Sequence, residues 1–356
     1  MKNSFDSNMG KALLISISII ALAALIVISY MDKHELSFKE FFNSNLAFNG
    51  FDNVTMDFDF DMDGLEFDKD NPSSRFNTKL LHEEKTFEAF DRIRISATTE
   101  AIIFVHEDRE DIKVVFDREV PDTNKYIIDY KANQNNQEIN ITSKLRLNNV
   151  FTDQTYNGSI TLYVPEDYQC DILTIEKTVS ELDGLVLPNH LNNLNITSNV
   201  GELKIELFQP LDQLYLKINA GNINLKTEAE VNQLELSVNT GTLRLLAQEE
   251  IQSFKASNNF GDLDFVFNKS PLDATLTSNA GDIRLDFLEP VHQLDANVNI
   301  GSLDLILPQN DESHVYSNTK LTDISSDIPV VSNRNDANIF LSVDVGSINV
   351  IRNTSH

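Results

Sequence analysis

From Leu194 to Leu305 the chain repeats itself every twenty residues without an insertion. Gly201, Gly221, Gly241, Gly261, Gly281 and Gly301 fall in one column. Asn199, Asn219, Asn239, Asn259, Asn279 and Asn299 fall in another, two places earlier. Behind each glycine comes a short alternating run, such as Ile223 and Leu225 or Leu263 and Phe265. Ahead of each asparagine comes another, such as Leu214, Leu216 and Ile218. Alternation of this kind marks half-buried strands. The inward residues change parity across the Asn-X-Gly step, as they must if both strands face one core. Glycine takes φ > 0 without a Cβ clash, and asparagine is the next most tolerant residue, so the step reads as a corner of fixed backbone shape. The glycine column returns once more at Gly346, followed by Ile348 and Val350.

One such unit contributes too few apolar side chains to offset the ordering of its own backbone, so it must stack on copies of itself. Two stackings satisfy the pattern. In a β-solenoid each unit is one coil, paired in parallel with the coils above and below. In a meander the corner is a hairpin turn and the pairing is antiparallel. The rigid period favours the solenoid, because hairpin loops are free to drift in length and coils are not. The expected fold class is therefore all-β, a parallel β-solenoid of about 20-residue coils spanning 86–351, with the regular repeats at 194–305.

The N-terminal part is organised differently. Residues 1–10 are short and polar, and the expected transmembrane helix occupies 11–31. Its apolar run from Ala12 to Tyr30 is free of charge and long enough to span a bilayer. A cleaved signal peptide is the rival reading, but Ile28-Ser29-Tyr30 is a poor cleavage site and no lipid-accepting cysteine follows. Lys2 and Lys11 point to a cytoplasmic N-terminus, a single pass and an extracytoplasmic C-terminal domain in the cell membrane.

Residues 32–85 read as a juxtamembrane acidic linker. Phe38, Phe41 and Phe42 form one apolar side beside the span. Further on, Asp59, Asp61, Asp63, Gly64 and Asp70 match positions of a calcium-loop pattern. Asp70 is shorter than the usual bidentate glutamate, and Glu66 replaces an aliphatic residue. The competing reading is an edge strand with Phe58, Phe60 and Met62 turned inward. Calcium is the one cofactor the sequence suggests.

The formal charge of −27 opposes nucleic acid and anionic lipid as electrostatic partners. The single cysteine, Cys170, excludes a disulfide framework and a cysteine-based metal site. Asp262, Asp264, Asp282, Asp304, Arg244 and Arg284 stand at outward strand positions of the repeats and suggest a long, largely acidic face. A polysaccharide-cleaving enzyme would need carboxylates clustered on one such face, but no nucleophile motif or phosphate loop accompanies them. The histidines at 82, 106, 190, 292 and 314 are scattered, so no catalytic residue is assigned. The asparagine column reads as a structural ladder, with side chains bonded to one another along the stack.

Three features together resemble the bacterial "putative adhesin" family of envelope proteins, a domain of unknown function. They are Phe90-Asp91-Arg92-Ile93-Arg94-Ile95, the strand end from Ile160 to Pro165, and the tandem Asn-X-Gly turns. The resemblance implies a right-handed β-solenoid, often carried on a membrane-anchored protein, with no catalytic residues to transfer. Some relatives accompany envelope-stress signalling systems. The expected function is a non-catalytic binding or scaffold module with an envelope protein or glycan as partner. The alternative is a regulatory accessory protein of a membrane signalling complex.

Overall fold

The computed structural model describes residues 78–353, apart from 122–125, 136, 148–157 and 184. Among these the chain is almost entirely β. One 3-10 turn, Arg334–Asp336, is the only helical element described. No helix among the described residues is long and apolar enough to cross a membrane. The span read at Ala12–Tyr30 lies outside the described residues, as do Phe38, Phe41, Phe42 and the Asp59, Asp61, Asp63 and Asp70 set.

The repeats form a parallel β-solenoid. Strands β8 (Gln169–Asp183), β9 (His190–Leu207) and β10 (Leu211–Thr227) each run through a corner without a break. The next coils are split at the corner into β11 (Val231–Thr240) and β12 (Leu243–Ala247), β13 (Ile251–Phe260) and β14 (Leu263–Phe267), and β15 (Asp273–Ala280) and β16 (Ile283–Phe287). Strand β17 (Leu294–Leu307) is continuous again. Pairing is parallel and keeps the twenty-residue register throughout: Leu214 lies against Leu194 and Leu234, and Ile223 against Leu203 and Leu243. The antiparallel meander is thereby excluded for the repeats. Leu214, Leu216, Ile218, Ile223 and Leu225 are all buried, as are their counterparts in the neighbouring coils. Phe254, Phe265, Phe267 and Phe287 stack along the core axis, the last pair with ring centroids 5.0 Å apart.

The corner explains the glycine column. Gly221 and Gly241 adopt φ of 137° and 138°. A Cβ on Gly241 would sit 1.7 Å from the carbonyl oxygen of Gly221 in the coil below, closer than any atom pair tolerates. Glycine is thus required twice, by its own backbone and by the approach of the neighbouring coil. The other members of the column, Gly201, Gly261, Gly281, Gly301 and Gly346, share the positive φ. Ser180 stands in register with Gly201 but is not among the positive-φ residues. Below it the stack changes character, and no glycine is needed.

Both ends of the solenoid depart from the repeat. At the N-terminal end, β2 (Arg92–Ala97) pairs in parallel with β8 on one side and with β6 (Glu138–Leu147) on the other. Strand β5 (Tyr126–Asn135) closes that edge as an antiparallel partner of β6. From one strand ahead of β2 and three between β2 and β8 the chain also builds a separate four-stranded sheet. It contains β1 (Thr78–Glu88), β3 (Ala101–Glu107), β4 (Asp111–Pro121) and β7 (Gly158–Pro165), and two of its three pairings are antiparallel. β1 begins inside the stretch read as linker.

At the C-terminal end, β20 (Ile339–Arg352) lies between β17 and β18 (Val315–Ser326), and the two-residue β19 (Val330–Val331) pairs with β18. Spatial order and sequence order therefore differ at both ends. In each case an intercalated strand, β2 or β20, ties the outermost strand to the stack.

Candidate binding site along the solenoid corner

At the Asn-X-Gly step two consecutive residues face outward, so each coil contributes one amide and one X side chain to the corner. The asparagines form a ladder. Asn219 Nδ2 donates to Asn199 Oδ1 (2.9 Å), Asn259 to Asn239 (2.5 Å), Asn279 to Asn259 (2.5 Å) and Asn299 to Asn279 (2.8 Å). The structural reading of this column is what the geometry bears out. An amide has two donor hydrogens and two acceptor lone pairs, so Asn259 and Asn279, bonded on both sides, spend half of their capacity on the ladder, and the other rungs spend less.

The X residues, unremarked in the sequence, form an apolar row beside it. Val179, Val200, Phe260, Ile300 and Val345 are all more than 40% exposed, and register carries the row through Ala220, Thr240 and Ala280.

Beside the ladder, on the strand leading into the corner, a third column is polar over its whole length. Its members in spatial order are Thr142, Ser96, Glu176, Thr197, Lys217, Ser237, Ser257, Thr277 and Asn297. Two clefts open along it. The larger, about 480 Å³, lies at the N-terminal end and includes Ser96, Thr98, Lys144, Glu176, Lys177 and Lys217 in its lining. The second, about 290 Å³, continues along Ser237, Asn239, Ser257, Asn258 and Thr277, and the two share Lys217 and Asn219. Asn258 occupies an inward slot that holds Ile218 and Val238 in the preceding coils. It is 3% exposed, and its Nδ2 donates to the Gly261 carbonyl. Its Oδ1 is buried and has no hydrogen-bond partner among the described residues.

Ser143 and Lys177, which line the larger cleft, also belong to a buried ionic cluster. Glu100, Arg118 and Ser143 are 0%, 2% and 1% exposed. The Glu100 carboxylate accepts from the Arg118 guanidinium, from the Ser143 hydroxyl, and from the backbone N–H groups of Thr98 (2.8 Å) and Thr99 (3.0 Å). Arg118 also donates to Thr99 Oγ1 (3.2 Å), while its Nε finds no partner among the described residues. Lys177, 5% exposed, stands in the same inward column as Ser198 and Ile218 and donates its Nζ to the Glu100 carbonyl oxygen at 3.0 Å. None of these residues was legible as a site in the sequence. They come from β3's approach, β4, β6 and β8, and no spacing motif links them.

The acidic residues singled out in the sequence have structural roles. Asp262 Oδ1 accepts the backbone N–H of Asp282 (3.0 Å), and Asp282 Oδ1 accepts that of Ser302 (2.7 Å). In the next outward column Arg244, Asp264, Arg284 and Asp304 follow one another coil by coil, so the charges alternate. The expected long acidic face is therefore a mixed-charge ladder with backbone caps beside it. No group of three or more His, Cys, Asp and Glu residues among those described is placed to hold a metal ion. His82 contacts Asp117 (Nδ1–Oδ1 2.6 Å) and Glu84 (3.2 Å), and the Asp117 hydrogen bond raises its pKa. His106 accepts from the Asn189 backbone N–H at 3.2 Å, and burial lowers its pKa. Burial pushes the Cys170 thiol up to about 12, so it is a packed core residue rather than a nucleophile.

A stack of twenty-residue coils with a glycine corner and a polar channel along it defines a parallel β-solenoid domain. The chain belongs to the Toastrack DUF4097 family, whose model matches residues 90–339. Similar solved structures include a "putative adhesin" from Parabacteroides merdae, 12% identical, covering 77% of this chain and 96% of that one, with a TM-score of 0.43. Others are a "putative adhesin" from Bacteroides fragilis (12% identical, 77% and 97% covered, TM-score 0.32) and one from Parabacteroides distasonis (11% identical, 77% and 97% covered, TM-score 0.30). No curated protein matches the chain.

Proposed function

We propose that this chain is a non-catalytic, membrane-anchored envelope protein whose solenoid is an adhesin-like binding or scaffold module for an extended, hydroxyl-rich ligand such as a glycan. The observation that carries this reading is the unbroken polar column from Thr142 to Asn297. It is flanked by the amide ladder and, at the second cleft, by Asn258, whose buried Oδ1 has no partner among the described residues. Successive rungs stand about 4.8 Å apart, close to the length of one pyranose ring, so a saccharide chain laid along the axis meets one set of donors and acceptors per residue. The exposed X row gives its apolar C–H faces a surface to rest on. The outward carboxylates support a non-catalytic role, since they are engaged as backbone caps or alternate with arginines. The Ala12–Tyr30 span supplies the membrane anchor, with the solenoid on the extracytoplasmic side.

The test is an array of neutral and acidic oligosaccharides probed with the purified full chain and with Ser257→Arg. That variant places a bulky charge at an exposed position of the second cleft. Retention of extended saccharides by the parent chain, lost in the variant, supports the reading. Hydrolysis of any of them, abolished by changing a single acid, overturns it.

A further inference from the structure

The larger cleft is electrostatically unlike the rest of the molecule. The chain carries −27, yet three lysines, Lys144, Lys177 and Lys217, line this one opening. Its only lining carboxylate, Glu176, is held by the Arg94 guanidinium and by the Ser96 hydroxyl (2.9 Å). Lys177 is 5% exposed and donates its Nζ to the Glu100 carbonyl oxygen. A lysine is not needed to continue the stack at this point, since its slot is filled by Ile218 and Val238 two and three coils on. Ser96, Thr98, Ser143 and Ser198 donate their hydroxyls to neighbouring protein groups, while Thr178, Thr197 and the exposed amides of Asn199 and Asn219 complete the lining with neutral donors. Cations with converging neutral donors in a cleft of this volume are the chemistry that holds an oxyanion.

We infer that this cleft is an anion-binding subsite that takes the carboxylate or phosphate group of a polyhydroxylated ligand whose remainder lies along the polar column. The inference rests on the binding reading given above and assigns its polarity: the charged end of the ligand sits at the β2–β8 end, and its neutral part runs toward Thr277. Lys217 is the hinge of the arrangement, because it lines both clefts.

The experiment is calorimetric titration of the purified full chain with three probes: inorganic phosphate, a galacturonate tetramer and a neutral galactose tetramer. The variants are Ser257→Arg and the double variant Lys144→Ala with Lys217→Ala. Both lysines are exposed, so the double variant keeps the fold, which its melting temperature verifies. We expect phosphate and galacturonate to bind, to weaken with rising salt, and to lose about tenfold per lysine in the double variant, the size of a charge-assisted contact. Ser257→Arg should leave phosphate binding unchanged and weaken the galacturonate tetramer. Equal binding of neutral and acidic tetramers, both unaffected by the lysine changes, overturns the subsite while leaving the groove reading standing. Phosphate binding that depends on the lysines, with neither tetramer sensitive to Ser257→Arg, supports the subsite and sinks the groove. Failure of both anionic probes to bind overturns the subsite.

Discussion

Gly346 pairs in register with Gly301, although the whole of β18 lies between them in the sequence. The same strand that stacks on β17 through this pair holds β18 on its other face, with Val315 against Ile339 and Ile324 against Ile348. The chain thus lays down its outermost coil before the one beneath it.

This order makes a prediction about truncation. Ending the chain before Ile339 removes the layer under β18, so β18 has nothing to pair with on the solenoid side. Hydrogen exchange should show Val315–Ser326 losing protection together with the outer face of β17. Were the coils stacked in sequence order, only the last few amides would lose protection and β18 would stay on β17.

Gly241→Val should destabilise the domain by at least about 3 kcal/mol, because the new side chain meets the Gly221 carbonyl and adopts a φ that β-branched residues avoid. Thr242→Val, one residue along, should change stability by less than about 1 kcal/mol. Urea unfolding of the two variants measures the difference, and equal effects would show that the corner does not depend on glycine.

Glu100→Gln should cost about 3–5 kcal/mol. It removes the carboxylate that binds Arg118, Ser143 and two backbone N–H groups in a fully buried site, and it takes from the Arg118 guanidinium the carboxylate it bonds there. Thermal unfolding measures the loss, and a loss under about 1 kcal/mol would mean that the cluster is hydrated rather than buried.

His82 should titrate above 6.5 in the folded protein, since Asp117 and Glu84 favour its protonated form. The sign follows directly: a raised folded pKa contributes stability that is fully present below 6.5 and fades as pH rises through the folded value. Proton NMR titration of His82 should show the shift, and Asp117→Asn should bring the midpoint back toward 6.5. A midpoint at or below 6.5 in the parent chain would contradict the contact.

The solenoid was legible because its constraint is local and repeated. The Asn-X-Gly step fixes a corner, the alternation fixes the inward face, and six corners at an unvarying twenty-residue interval fix the register of Leu214 on Leu194. The order of the end strands was not legible, because Gly346 would look the same whether it stacked on Gly301 or beyond β18. Nor was the Glu100 cluster. Arg118 and Lys177 reach Glu100 across 18 and 77 residues, and an alternating strand gives no warning that one of its inward slots holds a lysine. The outward acids were visible from the start, but their roles depended on the coil above. Asp262 is a backbone cap only because Asp282 presents its N–H at that height.

The locked ends and the strict middle together make the solenoid a ruler. Strands β2 and β20 fasten the first and last layers out of sequence order, while the interior units offer their neighbours the same glycine corner and the same twenty-residue register. An in-frame duplication or loss of one unit would lengthen or shorten the channel by a single strand spacing, about 4.8 Å, and leave both termini of the stack as they are. Change that is not a multiple of the unit would throw every ladder above it out of step. On the binding reading proposed above, ligand length is then a property this architecture adjusts in discrete increments, independently of the cleft at the β2–β8 end.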